Sequence, residues 1–152
     1  MAQSLARVNL HIIFSTKERQ PFIHPSIEKE MHGYLAGTCQ NLKCIPFEVG
    51  GVEDHVHLLV SLSKVITISD LIEKIKVSSS KWIKAQDKQF RDFSWQKGYG
   101  VFSVDEPAFE NVREYILRQR EHHTTKDLDF KSEFLKILKR YNVSYDEKYL
   151  WD

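Results

Sequence analysis

Apolar residues recur along the chain in patterns that predict four β-strands. Val8–Phe14 and Asp54–Ser61 are short segments rich in β-branched and apolar residues, which is typical of strands. Cys44–Val49 is a third such segment, and the pair Gly50-Gly51 begins the predicted turn that follows it. Trp95–Val104 is the fourth segment, and two glycines interrupt it.

Helical spacing of the apolar residues predicts the elements between and after these strands. Pro25 begins a helix that continues to about position 40, and Thr67 begins another that continues to about position 88. Asp105 is suited to cap a third helix, with Pro107 in its first turn, and this helix continues to about position 122. Residues 130–140 form a short fourth helix, and a tail rich in aromatic residues follows.

The predicted order β-α-β-β-α-β-α defines the fold class as α+β. Its first six elements form the split βαβ arrangement of a ferredoxin-like sandwich, an antiparallel sheet with helices on one face. A further helix near the C-terminus carries Tyr115, and we expect the second face of the sheet to be free for a ligand or partner. No repeat or linker divides residues 1–152, so we expect a single domain.

The composition narrows the class of protein. Of the 152 residues, 41% are hydrophobic and 28% are charged, as in soluble globular proteins. No segment approaches the roughly 20 apolar residues of a spanning helix and no signal peptide is evident, so we expect a cytoplasmic protein without a membrane partner. Cys39 and Cys44 are predicted to be buried or half-buried free thiols, because no further cysteines are present to complete a zinc site.

The tripeptide His55-Val56-His57 is the first candidate for chemistry. On a strand, residues i and i+2 point to the same face, so both imidazoles can bind one metal ion while Val56 points into the core. The pattern is short, and two surface histidines would also produce it. Metallo-hydrolases with the H-x-H-x-D-H motif are excluded, because Leu59 and Val60 occupy its last two positions.

Tyr115 and Gln119 form the second candidate. They are four residues apart on the predicted helix and lie on one face, which His122 shares. A glutamine oxygen can bind a divalent metal ion, and a tyrosine one turn away can attack an atom that the metal polarises. A tyrosine at the border of the core and a solvated glutamine would explain the same spacing.

Basic and aromatic residues in the middle of the chain are candidates for contacts with nucleic acid. Lys97–Val104 begins like the RNA-recognition octamer, with Tyr99 able to stack on a base, although a glycine-kinked strand also fits. The net charge is only +1, but residues 61–100 carry 8 basic and 4 acidic groups. The residues predicted to contact phosphates are Lys74, Lys81 and Lys84 on the second helix, and Lys17 and Arg19 in the first loop. A solvated helix face is the alternative for the lysines.

These features occur together in an order that resembles one known family. The chain is similar to the single-tyrosine HUH transposases of the smallest bacterial insertion sequences and to the REP-associated tyrosine transposases. The resemblance spans nearly the whole chain. It is carried by His11–Lys17 with Arg19 and Pro21, by Gly50–Val60 around the two histidines, by Trp95-Gln96 with Gly98-Tyr99-Gly100 and Phe102-Ser103-Val104, and by Tyr115-Ile116 with Gln119 and His122-His123.

The resemblance implies an activity and a site. His55 and His57 would correspond to the two histidines of the HUH motif, and Gln119 to the third ligand of Mg²⁺ or Mn²⁺. Tyr115 would correspond to the nucleophile, which cleaves and rejoins single-stranded DNA at hairpin-marked element ends through a 5′-phosphotyrosine intermediate. The family also implies a homodimer in which the tyrosine helix can complete the active site of the partner subunit.

Two other functions are compatible with the same sequence. A non-catalytic single-stranded nucleic-acid binding module would have the same sandwich topology and would use Lys97–Val104. Its binding would be insensitive to EDTA and sensitive to Tyr99→Ala. A domesticated HUH nuclease acting on host repeats would have the same motifs, and the genomic surroundings of the gene would distinguish it from a mobile element.

Overall fold

The computed structural model describes residues 2–124 and 128–152. Its strands are β1 (Asn9–Ser15), β2 (Ile45–Val52), β3 (His55–Ser61) and β4 (Gly100–Ser103). Its helices are α1 (Pro25–Asn41), α2 (Ile68–Gln86), α3 (Phe109–Leu117), α4 (Gln119–Thr124), α5 (Phe130–Arg140) and α6 (Glu147–Leu150). Short 3-10 turns lie at Lys17–Arg19, Lys88–Phe90 and Glu106–Ala108.

The strands form one antiparallel sheet in the order β2-β3-β1-β4. β3 lies between β1 and β2 and is paired with both, so β1 and β2 run in the same direction without touching. This is the split βαβ arrangement, and the predicted α+β sandwich is therefore confirmed.

The face of the sheet that α1 and α2 cover is apolar. Every second residue of β1 and β3 points into this layer, as strand geometry requires. The buried set comprises Leu10, Ile12 and Phe14 of β1, Val56, Leu58 and Val60 of β3, and Met31, Leu35, Leu71, Ile72 and Ile75 of the two helices. Removal of this apolar surface from water is the main stabilising contribution of the layer.

The second face of the sheet is covered as well, so the prediction of a free face was wrong. α3 packs on Leu59 through Ile116, and α5 packs on Phe102 through Phe134. Both helices carry an apolar stripe of their own, and burying that stripe requires a surface to pack against. Between these two contacts the face is lined by histidines.

The glycine pair at positions 50 and 51 does not form the predicted turn. β2 continues through both glycines to Val52, and the turn lies at Glu53 and Asp54. A Cβ atom added at Gly50 would overlap the backbone carbonyl of Ile116. The glycine therefore allows α3 to approach the sheet closely.

Two other elements are shorter than predicted. β4 begins only at Gly100, because residues 97–99 leave the sheet after Trp95 has paired with Thr16 and the Gln96 N–H with the Ser15 carbonyl. The Nζ atom of Lys76 donates to the carbonyl oxygens of Gln96 at 2.9 Å and of Gly98 at 2.6 Å. The helix expected to reach about position 122 is broken at Arg118, whose φ of −97° and ψ of 22° are not helical. Tyr115 and Gln119 consequently belong to different helical segments.

Other predictions hold. Cys39 and Cys44 are buried free thiols. Thr67 caps α2, since its hydroxyl oxygen accepts a hydrogen bond from the backbone N–H of Asp70 at 3.1 Å. Among residues 2–124 and 128–152, no helix combines the length and apolar character that crossing a bilayer demands.

Candidate active site

Two histidines of β3 form the floor of the site. His55 and His57 point to the same face of the sheet and are completely buried, whereas Val56 between them points into the apolar layer. This is the arrangement that the strand alternation predicts. Both rings lie on the face that the C-terminal helices cover.

Glu133 of α5 contacts both histidines from the helical layer that covers them. Its Oε1 atom lies 3.2 Å from His57 Nε2 and 3.3 Å from His55 Nε2, and its side chain is 1% exposed. Sequence reasoning missed Glu133, which is 76 positions away from His57. One signal was available: Glu133 lies among Phe130, Phe134 and Ile137 on the apolar stripe of its helix, where a charged residue needs a buried partner.

Gln119, at the start of α4, also reaches the cluster. Its side-chain oxygen lies 3.0 Å from His55 Nε2, and its side-chain nitrogen donates to Glu133 Oε2 at 3.1 Å. His123, one turn further along α4, contributes an Nε2 atom 3.1 Å from the Gln119 oxygen and 3.2 Å from Glu133 Oε1. The break at Arg118 thus leaves Gln119 within reach of the histidines.

Tyr115 completes the site. Its hydroxyl donates a hydrogen bond to Glu133 Oε2. Its ring centre lies 4.7 Å from that of His122 and 5.8 Å from that of His57. The candidate nucleophile and the candidate metal ligands of one chain therefore meet at the Glu133 carboxylate.

The second nitrogen of each strand histidine is held by a neighbour. His57 Nδ1 lies 2.8 Å from His11 Nε2, and His55 Nδ1 lies 2.7 Å from Asp54 Oδ1. Burial and the adjacent His57 lower the pKa of His11 to about 3, so His11 is neutral. These contacts fix both rings with their Nε2 atoms facing Glu133.

Burial and mutual contacts set the ionisation of the cluster. Burial alone would keep Glu133 protonated, but His57, His123 and His55 hold the pKa of its carboxyl well below the usual range. Burial opposes a charge on His55, yet its hydrogen bonds to Asp54 and Glu133 raise the pKa of His55 to about 9. Burial lowers the pKa of His57. Glu133 is thus a carboxylate and His57 a neutral imidazole, as metal binding requires, whereas His55 must give up its proton before its Nε2 atom can bind a metal ion.

The pKa of Tyr115 is shifted in the opposite sense to what a nucleophile needs. Burial, followed by the negative charge of Glu133, raises the pKa of the Tyr115 hydroxyl above its ordinary value. A cation close to Glu133 would offset that charge and favour the phenolate.

The donor atoms are spaced as a divalent metal ion requires. One nitrogen each of His55 and His57 and one oxygen of Glu133 all lie within 4.8 Å of one another. The Gln119 oxygen is 3.0 Å from the nearest of these nitrogens. Adjacent ligands of an octahedral ion with bonds of about 2.1 Å are about 3.0 Å apart. The residues therefore fit a small divalent metal ion.

One protein-family model matches this chain in sequence. Residues 4–119 match the family model of the IS200-like transposases. The chain belongs to the IS200-like transposase family. The match includes both strand histidines, Tyr115 and Gln119, and it stops before His123 and Glu133. Among curated proteins, no sequence matches the chain significantly.

Two solved structures share the fold of this IS200-like transposase. A Deinococcus radiodurans protein described as a transposase has a TM-score of 0.61 at 19% identity, covering 78% of this chain and 98% of its own. A REP-associated tyrosine transposase bound to a REP hairpin has a TM-score of 0.60 at 10% identity, covering 82% of this chain and 75% of its own. At these identities the likeness establishes the fold alone.

The lysines predicted to contact DNA lie along α2. Lys81, Lys84 and Tyr99 line one groove, and Lys74 lines a neighbouring groove together with Lys81. Because α2 packs on the face of the sheet opposite to the histidines, these lysines are remote from the candidate active site. Their contact with DNA stays a prediction.

The two basic residues of the first loop differ in their surroundings. Lys17 is exposed. The guanidinium of Arg19 donates to the backbone carbonyl of Trp151 at 2.9 Å and lies 5.8 Å from the centre of its ring. Arg19 therefore has a partner within the chain, and its predicted phosphate contact is untested.

The segment Lys97–Val104 does not present a row of aromatic side chains. Tyr99 is 41% exposed, but Phe102 is buried beneath α5 and stacks on Tyr141 with ring centres 4.7 Å apart. A sheet that binds bases must expose its aromatic residues. This observation weakens the comparison with the RNA-recognition octamer.

Proposed function

We propose that this IS200-like transposase cleaves and rejoins single-stranded DNA at hairpin-marked element ends, with Tyr115 as the nucleophile and a divalent metal ion as cofactor. One observation carries the proposal: the Tyr115 hydroxyl contacts a carboxylate that also contacts His55 and His57. The hairpin bound by the REP-associated structural neighbour supports the choice of substrate.

The residues proposed to hold the metal ion are His55, His57 and Gln119. Two imidazoles suit Mn²⁺ better than Mg²⁺, whereas the abundance of Mg²⁺ in cells favours that ion. When bound, the ion supplies positive charge against the negative charge that grows on the phosphoryl oxygens. His11 and Asp54 keep the two imidazoles oriented, so the site needs little rearrangement to bind it.

Tyr115 would act through a covalent intermediate. Its hydroxyl oxygen gives up its proton and attacks phosphorus, the bond to the 3′ oxygen breaks, and that oxygen takes up a proton to become a 3′-OH. The 5′ phosphate remains joined to Tyr115. Because the energy of the bond is kept, a second 3′-OH can attack the phosphotyrosine and rejoin the strands without ATP.

The homodimer with a shared active site is a further part of the proposal. Within one chain Tyr115 already reaches its own cluster, which is one of the two arrangements such a dimer can adopt. Light scattering measures the oligomeric state, and a monomer of 17.9 kDa would contradict the dimer. The expected compartment is the cytoplasm.

A gel assay for a covalent protein–DNA adduct tests the chemistry. The protein is incubated with labelled single-stranded DNA from the flanks of its gene, with Mn²⁺ or with EDTA. We expect a denaturation-resistant band with Mn²⁺ and none with EDTA or with Tyr115→Phe, whose DNA binding should persist. Tyr145→Phe, which changes an exposed tyrosine in the tail, is the matched control and should form the band. An equal band from Tyr115→Phe would contradict the proposal.

The exposed Tyr99 beside Lys81 and Lys84 favours a second candidate, a non-catalytic single-stranded nucleic-acid binding module. This function would give a DNA shift that EDTA does not change and that Tyr99→Ala removes, without any adduct. A domesticated nuclease would give the same adduct as a transposase. The flanks of the gene separate these two, because a mobile element lies between its own end sequences.

A further inference from the structure

The carboxylate of Glu133 faces two ways. Its Oε1 atom lies within 3.3 Å of the Nε2 atoms of His55 and His57. Its Oε2 atom accepts hydrogen bonds from the Tyr115 hydroxyl and from the side-chain amide of Gln119. One oxygen thus faces the two candidate imidazole ligands, and the other faces the candidate nucleophile and the Gln119 amide.

Helix α5 fixes Glu133 in this position. Phe130 and Phe134 flank Glu133 on the helix and are buried in the cluster that joins α5 to the sheet. Asp129 caps the first turn by accepting a backbone N–H at 2.8 Å. A Cβ atom at Gly100 would overlap the ring of Phe134, so the glycine allows this close packing. The carboxylate is therefore carried by a packed helix rather than by a loop.

The surroundings of Glu133 consist of site residues. A buried carboxylate is costly unless it is paired. Its partners among the described residues are His55, His57, His123, Gln119 and Tyr115. Within that part of the chain, no lysine or arginine forms a salt bridge with it. One basic partner would be enough if Glu133 only stabilised the fold. Instead, five residues of the candidate active site contact its carboxylate.

We propose that Glu133 bridges the metal ion and the nucleophile: Oε1 binds the ion beside His55 and His57, and Oε2 holds the Tyr115 hydroxyl next to it. The metal-binding half of this proposal, in which Oε1 binds the ion, is based on the geometry of the ligands. The positioning half rests on the proposed function, since it requires Tyr115 to be the nucleophile. Glu133 lies beyond residues 4–119, so the family match does not assign it this role.

Mn²⁺ binding without DNA tests the metal-binding half. Electron paramagnetic resonance of free Mn²⁺ gives its affinity for wild type, Glu133→Gln and Glu114→Gln. We expect Glu133→Gln to bind about 10- to 100-fold more weakly. Glu114→Gln should bind like wild type, because Glu114 precedes Tyr115 on α3 but is 59% exposed and pairs only with Arg118 among the described residues. Glu133→Asp keeps the charge but shortens the side chain, so its Mn²⁺ affinity should lie between those of Glu133→Gln and wild type. This variant takes the place of Glu133→Gln if the glutamine variant does not fold.

Adduct formation at saturating Mn²⁺ tests the positioning half. Saturation restores the metal ion, so a remaining defect reports how well Tyr115 is held. We expect Glu133→Gln to form the adduct about 10-fold or more slowly, with an unchanged dissociation constant for DNA. Tyr115→Phe should still bind Mn²⁺, because the tyrosine is not a ligand in this scheme.

The outcomes separate this inference from the proposed function. Equal Mn²⁺ affinity of Glu133→Gln and wild type would overturn the metal-binding half. Equal adduct rates at saturating Mn²⁺ would overturn the positioning half. A wild type that binds Mn²⁺ through Glu133 but forms no adduct would contradict the proposed function and the positioning half, and it would support the metal-binding half.

Discussion

The two faces of the sheet use the same strands for different purposes. Toward α1 and α2, β1 and β3 present only aliphatic and aromatic side chains, which pack on the apolar side chains of the two helices. Toward α3, α4 and α5, the same strands present His11, His55 and His57. Neighbours in the sequence, such as His57 and Leu58, therefore belong to different environments and are expected to affect different properties.

The two faces differ in the free energy of burying their side chains. Apolar packing on the first face gains free energy with each buried group. On the second face each buried polar group must find a partner, or its burial destabilises the fold. His57 is paired with His11, and His55 with Asp54, so the polar face is built as a connected network. The candidate metal ligands thereby lie on one side of the sheet, and the largest apolar cluster lies on the other.

His57→Ala should have the largest effect. Loss of one of the two strand imidazoles should lower Mn²⁺-dependent adduct formation by about 1,000-fold or more, since a bound metal contributes several kcal/mol to such a reaction. Calorimetric titration with Mn²⁺ and the adduct gel measure the effect. Full Mn²⁺ affinity in this variant would contradict the assignment of His57 as a ligand.

Leu58→Ala tests the opposite face at the next position. Leu58 is fully buried under the helices, so its truncation should lower the free energy of unfolding by about 2–5 kcal/mol. Urea denaturation measures the loss. Mn²⁺ affinity, measured at a temperature where the variant is folded, should equal that of wild type, and a tenfold loss would show that the two faces are not separable.

His11→Phe should have a smaller effect on the metal site. The phenyl ring fills the space of the imidazole but removes the nitrogen that lies 2.8 Å from His57 Nδ1. We expect Mn²⁺ affinity to fall about 10-fold, because the ring of His57 loses its orienting partner. The control is His24→Phe, whose ring lies against Phe90 in the apolar layer, and it should leave the affinity unchanged. An equal affinity for the two variants would refute the orienting role.

Thr67→Ala should have the smallest effect. The substitution removes the side-chain oxygen that caps α2, and it should lower the free energy of unfolding by about 1 kcal/mol without changing Mn²⁺ affinity. Thr67→Ser keeps the oxygen and should restore most of the stability. Equal denaturation midpoints for the alanine and serine variants would contradict a capping role of the Thr67 oxygen.

Local patterns predicted the fold well because its buried strands are short segments rich in β-branched and apolar residues. The period of two along a strand then placed His55 and His57 on one face. The pair Gly50-Gly51 was misinterpreted, because glycine marks both turns and places of close approach. Only the position of Ile116 in three dimensions distinguishes the two.

The site was predicted only in part, because one of its central residues depends on tertiary packing. Tyr115 and Gln119 could be paired by helical spacing. Glu133 comes from a helix that reaches the histidines only after α5 has packed on β4, and no local motif joins it to them. Its position on an apolar stripe was the available signal.

The central place of β3 has a consequence for how metal binding is coupled to folding. Backbone hydrogen bonds join β3 to a neighbouring strand on each side, so its amide protons should exchange with deuterium only when the whole domain unfolds. The two histidines thus lie on a strand that is ordered before a metal ion binds. None of the free energy of metal binding is needed to order the backbone of this strand. A bound ion should therefore slow exchange throughout the sheet, and not only near itself.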